Sequence, residues 1–186
     1  MEITVKKGLL EEEKADVLII NEFQGVKKPG GATGSINAAL DGLLVKVMEE
    51  EKFKGKLGET ISIRTNEIIP AKRVVVVGLG KKEKFNLESV RQAAAASVNA
   101  GSKLEPKTIA SILHGVGNNE FSAQDCAKAV AEGVHLGIYK FDKYKKSKTK
   151  DPESFVIVTN NATHARGAKK GIELGQLYAK AAIFAR

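Results

Sequence analysis

The residues best suited to metal or nucleophile chemistry are three histidines, His114, His135 and His164, and one cysteine, Cys126. A zinc hydrolase needs His, Asp, Glu or Cys converging on one ion, and none of the histidines has the H-E-x-x-H spacing. His114 closes a predicted strand, His135 lies on a helix beside its apolar stripe, and His164 starts a helix. Each is read as structural. Cys126 falls on the apolar stripe of a helix, where a thiol packs as a small hydrophobe. A cysteine nucleophile would need exposure and a nearby base, and neither is evident. A single cysteine also excludes an intramolecular disulfide and a cysteine metal cluster.

Three further segments have the composition of ligand loops. Gly78-Leu79-Gly80-Lys81-Lys82 follows a predicted strand. The dinucleotide fingerprint needs a third glycine where Glu83 stands, and an acid there would repel a pyrophosphate. A phosphate-binding P-loop needs a glycine where Val75 stands. The two glycines are therefore read as a sharp turn out of a buried strand. Gly30-Gly31-Ala32-Thr33-Gly34 precedes a helix and has the makings of a phosphate cradle. It is read as a surface loop. Tyr139 to Lys146 interleaves aromatics with lysines, as base-stacking surfaces do. It is read as a helix end with aromatics turned inward and lysines in water. The sequence thus yields no catalytic, cofactor-binding or metal-ligating residue.

The frame around these residues is an ordinary globular one. Of 186 residues, 42% are hydrophobic and 28% charged, which argues against disorder and fits one domain. No stretch approaches the ~20 apolar residues of a membrane helix. Met1 to Lys7 lacks the basic head and apolar run of a signal peptide. A cytoplasmic protein is expected. The net charge of +8 permits an acidic partner without identifying one.

Ala15–Asn21 is a short apolar run that predicts a buried strand. Ser35 is placed as the cap of one helix whose stripe is Ile36, Leu40, Leu43, Leu44 and Val47. Alternation over Glu59–Thr65 predicts a half-covered strand. The β-branched run Arg73–Gly78 predicts a central strand buried on both faces. Asn86 caps a second helix and Ser122 a third, the latter with an acid three residues on. Thr108–His114 and Ser154–Thr159 are further strands. A last helix runs from about Thr163 to the end, with Ala168, Gly175, Ala179 and Ala182 on one face beside Ile172 and Ile183. Glycines there cost about 1 kcal/mol each against alanine, tolerable where another backbone packs closely. Alternating strands and helices imply an α/β domain with helices on both sides of a mostly parallel or mixed sheet.

Several segments in order resemble the leucyl (cytosol) aminopeptidase family. Phe53–Thr60 resembles its F-x-G-K-x-G-E-T element, and Arg73–Lys81 its R-V-x-x-V-G-L-G-K strand and turn. Glu132–Lys145 resembles its E-G-x-x-L-G-x-Y-x-F-D-x-Y-K element, and Leu40-Asp41 matches an early Leu-Asp pair. The resemblance covers nearly the whole chain. It implies a three-layer α/β/α sandwich, macro-domain-like, with a mixed, mostly parallel sheet. It implies a parent enzyme whose separate C-terminal domain cleaves N-terminal amino acids with two divalent metals: zinc, manganese or magnesium. The segments that carry that chemistry in the family are absent here, so no catalytic or metal residue carries over. Tyr139, Phe141 and Tyr144 are expected to anchor the third helix against the sheet. Residues 1–162 are then the N-terminal domain, and residues 163–186 a helix leading to a peptidase domain. The uncapped apolar end, Ala181 to Arg186, is read as a cut within a longer chain. Partners implied are that peptidase domain and a homo-hexamer, with a role in assembly and active-site access. Two alternatives stay open: a stand-alone ADP-ribose-binding module using the Gly30–Gly34 loop, and a basic DNA-binding domain using the lysines from Lys140 to Lys150.

Overall fold

The computed structural model describes residues 1–117, 121–139 and 150–185. Among them one six-stranded sheet is formed by β1 (Glu2–Lys7), β2 (Val17–Glu22), β3 (Thr60–Arg64), β4 (Arg73–Gly78), β5 (Thr108–Ile112) and β6 (Ser154–Thr159). The strand order is β1-β6-β5-β2-β4-β3. All neighbours pair in parallel except the edge strand β3, which is antiparallel to β4. The mixed, mostly parallel sheet expected from the sequence is present.

Side chains alternate across the sheet, so each strand feeds two cores. Val17, Ile19, Val75, Val77, Ile109, Phe155 and Ile157 enter one core with α3 (Leu87–Ser102), α4 (Ala123–Ile138) and α5 (Ala162–Phe184). Leu18, Ile20, Val74, Val76, Ala110 and Val158 enter the other, under α1 (Gly31–Ala39) and α2 (Leu43–Glu50). This explains the unbroken apolar runs of β2 and β4: both faces are covered. On β3, Ile63 is buried while Ser62 and Arg64 are exposed, as a half-covered edge requires. β1, for which the sequence reading assigned no element, pairs with β6 along its whole length.

The single helix expected from Ile36 to Val47 is two helices. Asp41 and Gly42 both take positive φ, 50° and 79°, and break the chain between them. The apolar stripe survives the break: Ile36, Leu40 and Leu44 are all fully buried. Gly42 offers α2 no cap, and Asn37 of α1 does that work by accepting from the Val45 N–H at 3.1 Å. The first helix also starts earlier than expected. Gly31–Ser35 is its first turn, with Gly30 and not Ser35 at the cap. β5 ends at Ile112, two residues short of the expected His114, where its pairing with β6 stops.

The caps expected at Asn86 and Ser122 are present, and α5 has one, Asn161, that the sequence reading did not name. Asn86 and Ser89 bond reciprocally at the start of α3. Ser122 Oγ accepts from the Asp125 N–H at 3.1 Å. Asn161 Oδ1 accepts from the Thr163 and His164 N–H groups. α4 lies between α3 and α5, and bare backbone makes the closest contacts. A Cβ on Gly133 would lie 2.2 Å from Arg91 O, one on Gly171 2.1 Å from Gln124 O, and one on Gly175 2.5 Å from Lys128 O. At 23 residues α5 is ~34 Å long, whereas a six-residue strand spans ~20 Å. Its last turns therefore overhang the sheet. Ala182, expected on the inner face, is exposed there, and Ile183 is only half-buried. Phe141 and Tyr144, expected as anchors, lie outside the described residues.

Gly171→Ala should destabilise the protein by roughly 1–3 kcal/mol, although alanine is the better helix former. A Cβ on Gly8 meets only Val158 Cγ1, at 4.0 Å, so Gly8→Ala should change stability by less than about 0.5 kcal/mol. Urea unfolding of the two variants measures both.

Candidate functional site

From β2 the chain leads to β3, on the β4 side of the sheet, and from β5 to β6, on the other side. Connections that diverge in this way open a crevice at the carboxyl ends of parallel strands, where α/β proteins bind ligands. A cleft of about 780 Å³ lies there. The end of β2 (Asn21, Glu22, Phe23), the first turn of α1 (Gly30–Thr33), the loop after β5 (Gly115–Gly117) and the start of α5 (His164) line it. Gly30 gives the first-turn N–H groups of α1 no side-chain cap. Gly115 and Gly117 hold positive φ, 92° and 83°, in the loop after β5.

One buried polar chain ties the two sides of the crevice together. Asn21 Nδ2 lies 2.7 Å from His114 Nδ1, and Ser111 Oγ lies 3.3 Å from His114 Nε2. An amide nitrogen only donates, so Nδ1 must accept and Nε2 must carry the proton. Ser111 then accepts from Nε2 and donates to Ile112 O at 2.9 Å. On the other side of Asn21, Thr33 Oγ1 donates to its carbonyl at 2.7 Å. Every member is satisfied with the imidazole neutral. His114 is fully buried, and burial lowers its pKa from the usual 6.5 to about 4.

Glu22 sits on the opposite face of the same strand and is 7% exposed. Its Oε1 accepts from the Phe23 N–H at 2.9 Å, while its buried Oε2 has no partner among the described residues. Burial raises the pKa of its carboxyl, only partly offset by that bond. Sequence reasoning passed over this residue. The signal was present, because strand alternation puts Glu22 on the face of Leu18 and Ile20.

The other candidates do not converge on the cleft. His135 lies half-buried on α4, and His164 reaches the cleft only at the start of α5. Cys126 is fully buried, and burial and the neighbouring Asp125 push its thiol up to about 12. Gly78 and Gly80 belong to packing, since a Cβ on Gly78 would lie 2.0 Å from Lys56 O and Gly80 turns at φ 76°. The lysines from Lys140 to Lys148, most of the basic run, fall outside the described residues. No group of three or more His, Cys, Asp or Glu among the described residues is placed to hold a metal ion.

The His114 pKa has a sign that can be tested. The unfolded chain binds a proton near pH 6.5 that the folded chain refuses until about pH 4. Stability is therefore lost as pH falls through that window. Acidification from about pH 7 to about pH 5 should remove about 1–2 kcal/mol through this group. Urea melts of His114→Gln should show a shallower pH dependence by that amount.

Residues 19–148 match the cytosol aminopeptidase family, N-terminal domain. A probable cytosol aminopeptidase of Alkaliphilus metalliredigens is 33% identical over 175 residues, covering 92% of this chain. The chain spans 35% of that relative's length. Among solved structures, a tomato leucine aminopeptidase variant superposes with a TM-score of 0.72 at 23% identity, over 92% of this chain and 35% of that one. A Trypanosoma brucei macrodomain in complex with ADP superposes at 0.70 with 14% identity, over 91% and 68%. The fold is thus the macro-like sandwich that both neighbours share. The chain belongs to the cytosol aminopeptidase family, of which it forms the N-terminal domain.

Proposed function

We propose that this chain is the non-catalytic module of a cytoplasmic, metal-dependent aminopeptidase and that α5 joins it to the peptidase portion. The observation that carries this reading is the exposed apolar second half of α5. Leu174, Leu177 and Tyr178 are exposed along its second half, beside α4, and Phe184 is 95% exposed at its end. The first three, with Ala181, fall at i, i+3, i+4 and i+7, one stripe of a helix. Such a stripe on a polar protein is a contact surface. The relatives supply what would cover it, since about two thirds of the matched aminopeptidase lies beyond the matched region.

On this reading residues 1–162 form the module and residues 163–186 the connecting helix. The described residues do not fit the two divalent ions the family implies. Zinc, manganese or magnesium would sit in the peptidase portion, and this module would serve assembly, as a hexamer, and access to the active sites. No helix among the described residues is long and apolar enough to cross a membrane.

The 186-residue chain, supplied with Mn²⁺ or Zn²⁺, should not cleave leucine p-nitroanilide. Turnover that co-purifies with the chain would overturn the reading. Fused to the peptidase portion of a relative, the chain should support activity. Leu177→Glu with Phe184→Glu should lower that activity and the yield of assembled enzyme by size-exclusion chromatography.

The cleft favours a second reading. Its volume, its place at the diverging strands and the uncapped turn of α1 suit a nucleoside diphosphate such as ADP-ribose. Calorimetry tests this directly: heat saturating at micromolar ADP-ribose supports it, and no heat at millimolar ligand removes it.

A further inference from the structure

A second concavity, about 480 Å³, lies on the α1/α2 side of the sheet, between the loop after β2 and α2. Val26, Pro29, Val45, Met48 and Phe53 give it apolar walls, with Glu22 at its inner end and Lys27, Lys52 and Lys54 among the charged residues that line it. Val26 is 40% exposed at its mouth, and Leu57, on the neighbouring loop, is equally exposed. Three loops meet here and are held together by backbone hydrogen bonds. Gln24 N–H donates to Gly80 O at 2.9 Å, Gly25 N–H to Lys54 O at 3.3 Å, and Gly80 N–H to Gly55 O at 2.9 Å.

Those loops carry a concentrated positive charge. Residues 24–29, 53–59 and 79–84 hold seven lysines and two glutamates, a net +5, equal to that of residues 140–150. All seven lysines are exposed. Of the two acids, Glu59 accepts from the Lys54 and Lys56 backbone N–H groups. The ion pairs found among the described residues use Lys6, Lys72, Arg91 and Lys128, and none uses a lysine of these loops. The far wall of the groove, at the end of α2, carries Glu49, followed by exposed Glu50, Glu51 and Lys52, so the negative charge lies opposite the lysine loops. The positive field is therefore one-sided.

We propose that this groove docks an acidic peptide segment of a partner protein, an apolar side chain entering between Val45, Met48 and Phe53 while its carboxylates meet the lysines of the three loops. Charge complementarity selects the acidic partner, and the apolar walls select a peptide over a nucleic acid. A phosphate backbone has nothing to bury in such a groove. The loops are tied to the ends of β2 and β4, so the surface is preformed and little ordering free energy is spent on binding.

Fluorescence anisotropy with the 186-residue chain tests this. The probe is a labelled peptide of glutamates flanking a leucine–phenylalanine pair. It should bind at micromolar concentrations and weaken as salt rises. Lys54→Glu with Lys81→Glu should raise its Kd at least about tenfold, as should filling the groove with Val45→Trp. Lys169→Glu with Lys170→Glu, on α5, should leave it unchanged. Equal binding of a peptide with serines in place of the apolar pair would overturn the proposal. So would tighter binding of duplex DNA at the same salt, which would make the surface a nucleic-acid site. Absence of binding at millimolar peptide, with circular dichroism showing a folded chain, would also overturn it.

Discussion

Backbone resting directly on backbone fixes the helical layer, and the positions of the loops above it depend on that contact. Gly133 of α4 meets Arg91 O of α3, and Gly171 and Gly175 of α5 meet Gln124 O and Lys128 O of α4. Any side chain at these points would have to displace a carbonyl that is itself committed to a helix. The seam is closed at its surface by charge. Arg91 bridges Glu88 and Glu132, and Lys128 lies 4.1 Å above the Tyr178 ring. Because the three axes are locked, the openings of α4 and α5 stand where the cleft needs them, beside the loop after β5 and at Asn161–His164.

Much of this was legible because it is local. The double-sided burial of β4 is written in Arg73–Gly78, a β-branched run with no polar break. The caps Asn86 and Ser122 announce their helices by type and spacing. The glycines of α5 were marked as sites of close packing by their cost to a helix. What stayed hidden depended on partners distant in sequence. β1 has only Ile3 and Val5 to declare it, and its ladder comes from β6, about 150 residues away. The break at Asp41-Gly42 lies inside an apolar stripe that continues through it, so periodicity alone could not see it. The first turn of α1 looked like a loop because glycine composition outweighs what a helix N-terminus tolerates.

The site shows the same division more sharply. His114, expected to close β5, lies two residues beyond it, and its partner Asn21 is 93 residues away. Only the adjacency of β2 and β5 brings them together. Asn21 and Glu22 are neighbours in sequence that alternation sends to opposite faces. Asn21 completes a satisfied chain with a neutral imidazole, whereas Glu22 is left with one carboxylate oxygen unmatched. A satisfied buried network rigidifies its surroundings, and an unsatisfied group is a cost that persists only where the fold over-determines it. The end of β2 therefore carries a satisfied network on one face and an unmatched carboxyl oxygen on the other.

These constraints separate the two exposed surfaces of the domain. β6 ends at the same edge as β2 and β4, and α5 runs back from there along the sheet and past its far edge. The apolar stripe of α5 thus lies at the end of the molecule opposite the lysine-bearing loops. An attachment made through the overhang need not cover the cleft or the groove. The positive charge is likewise not spread evenly, since three loops that β2 and β4 hold in place carry a net +5, as do residues 140–150. A chain that needed charge only for solubility would gain nothing from concentrating it beside an apolar groove. Attachment by the helix and recognition by the loops can therefore operate together on one rigid sheet.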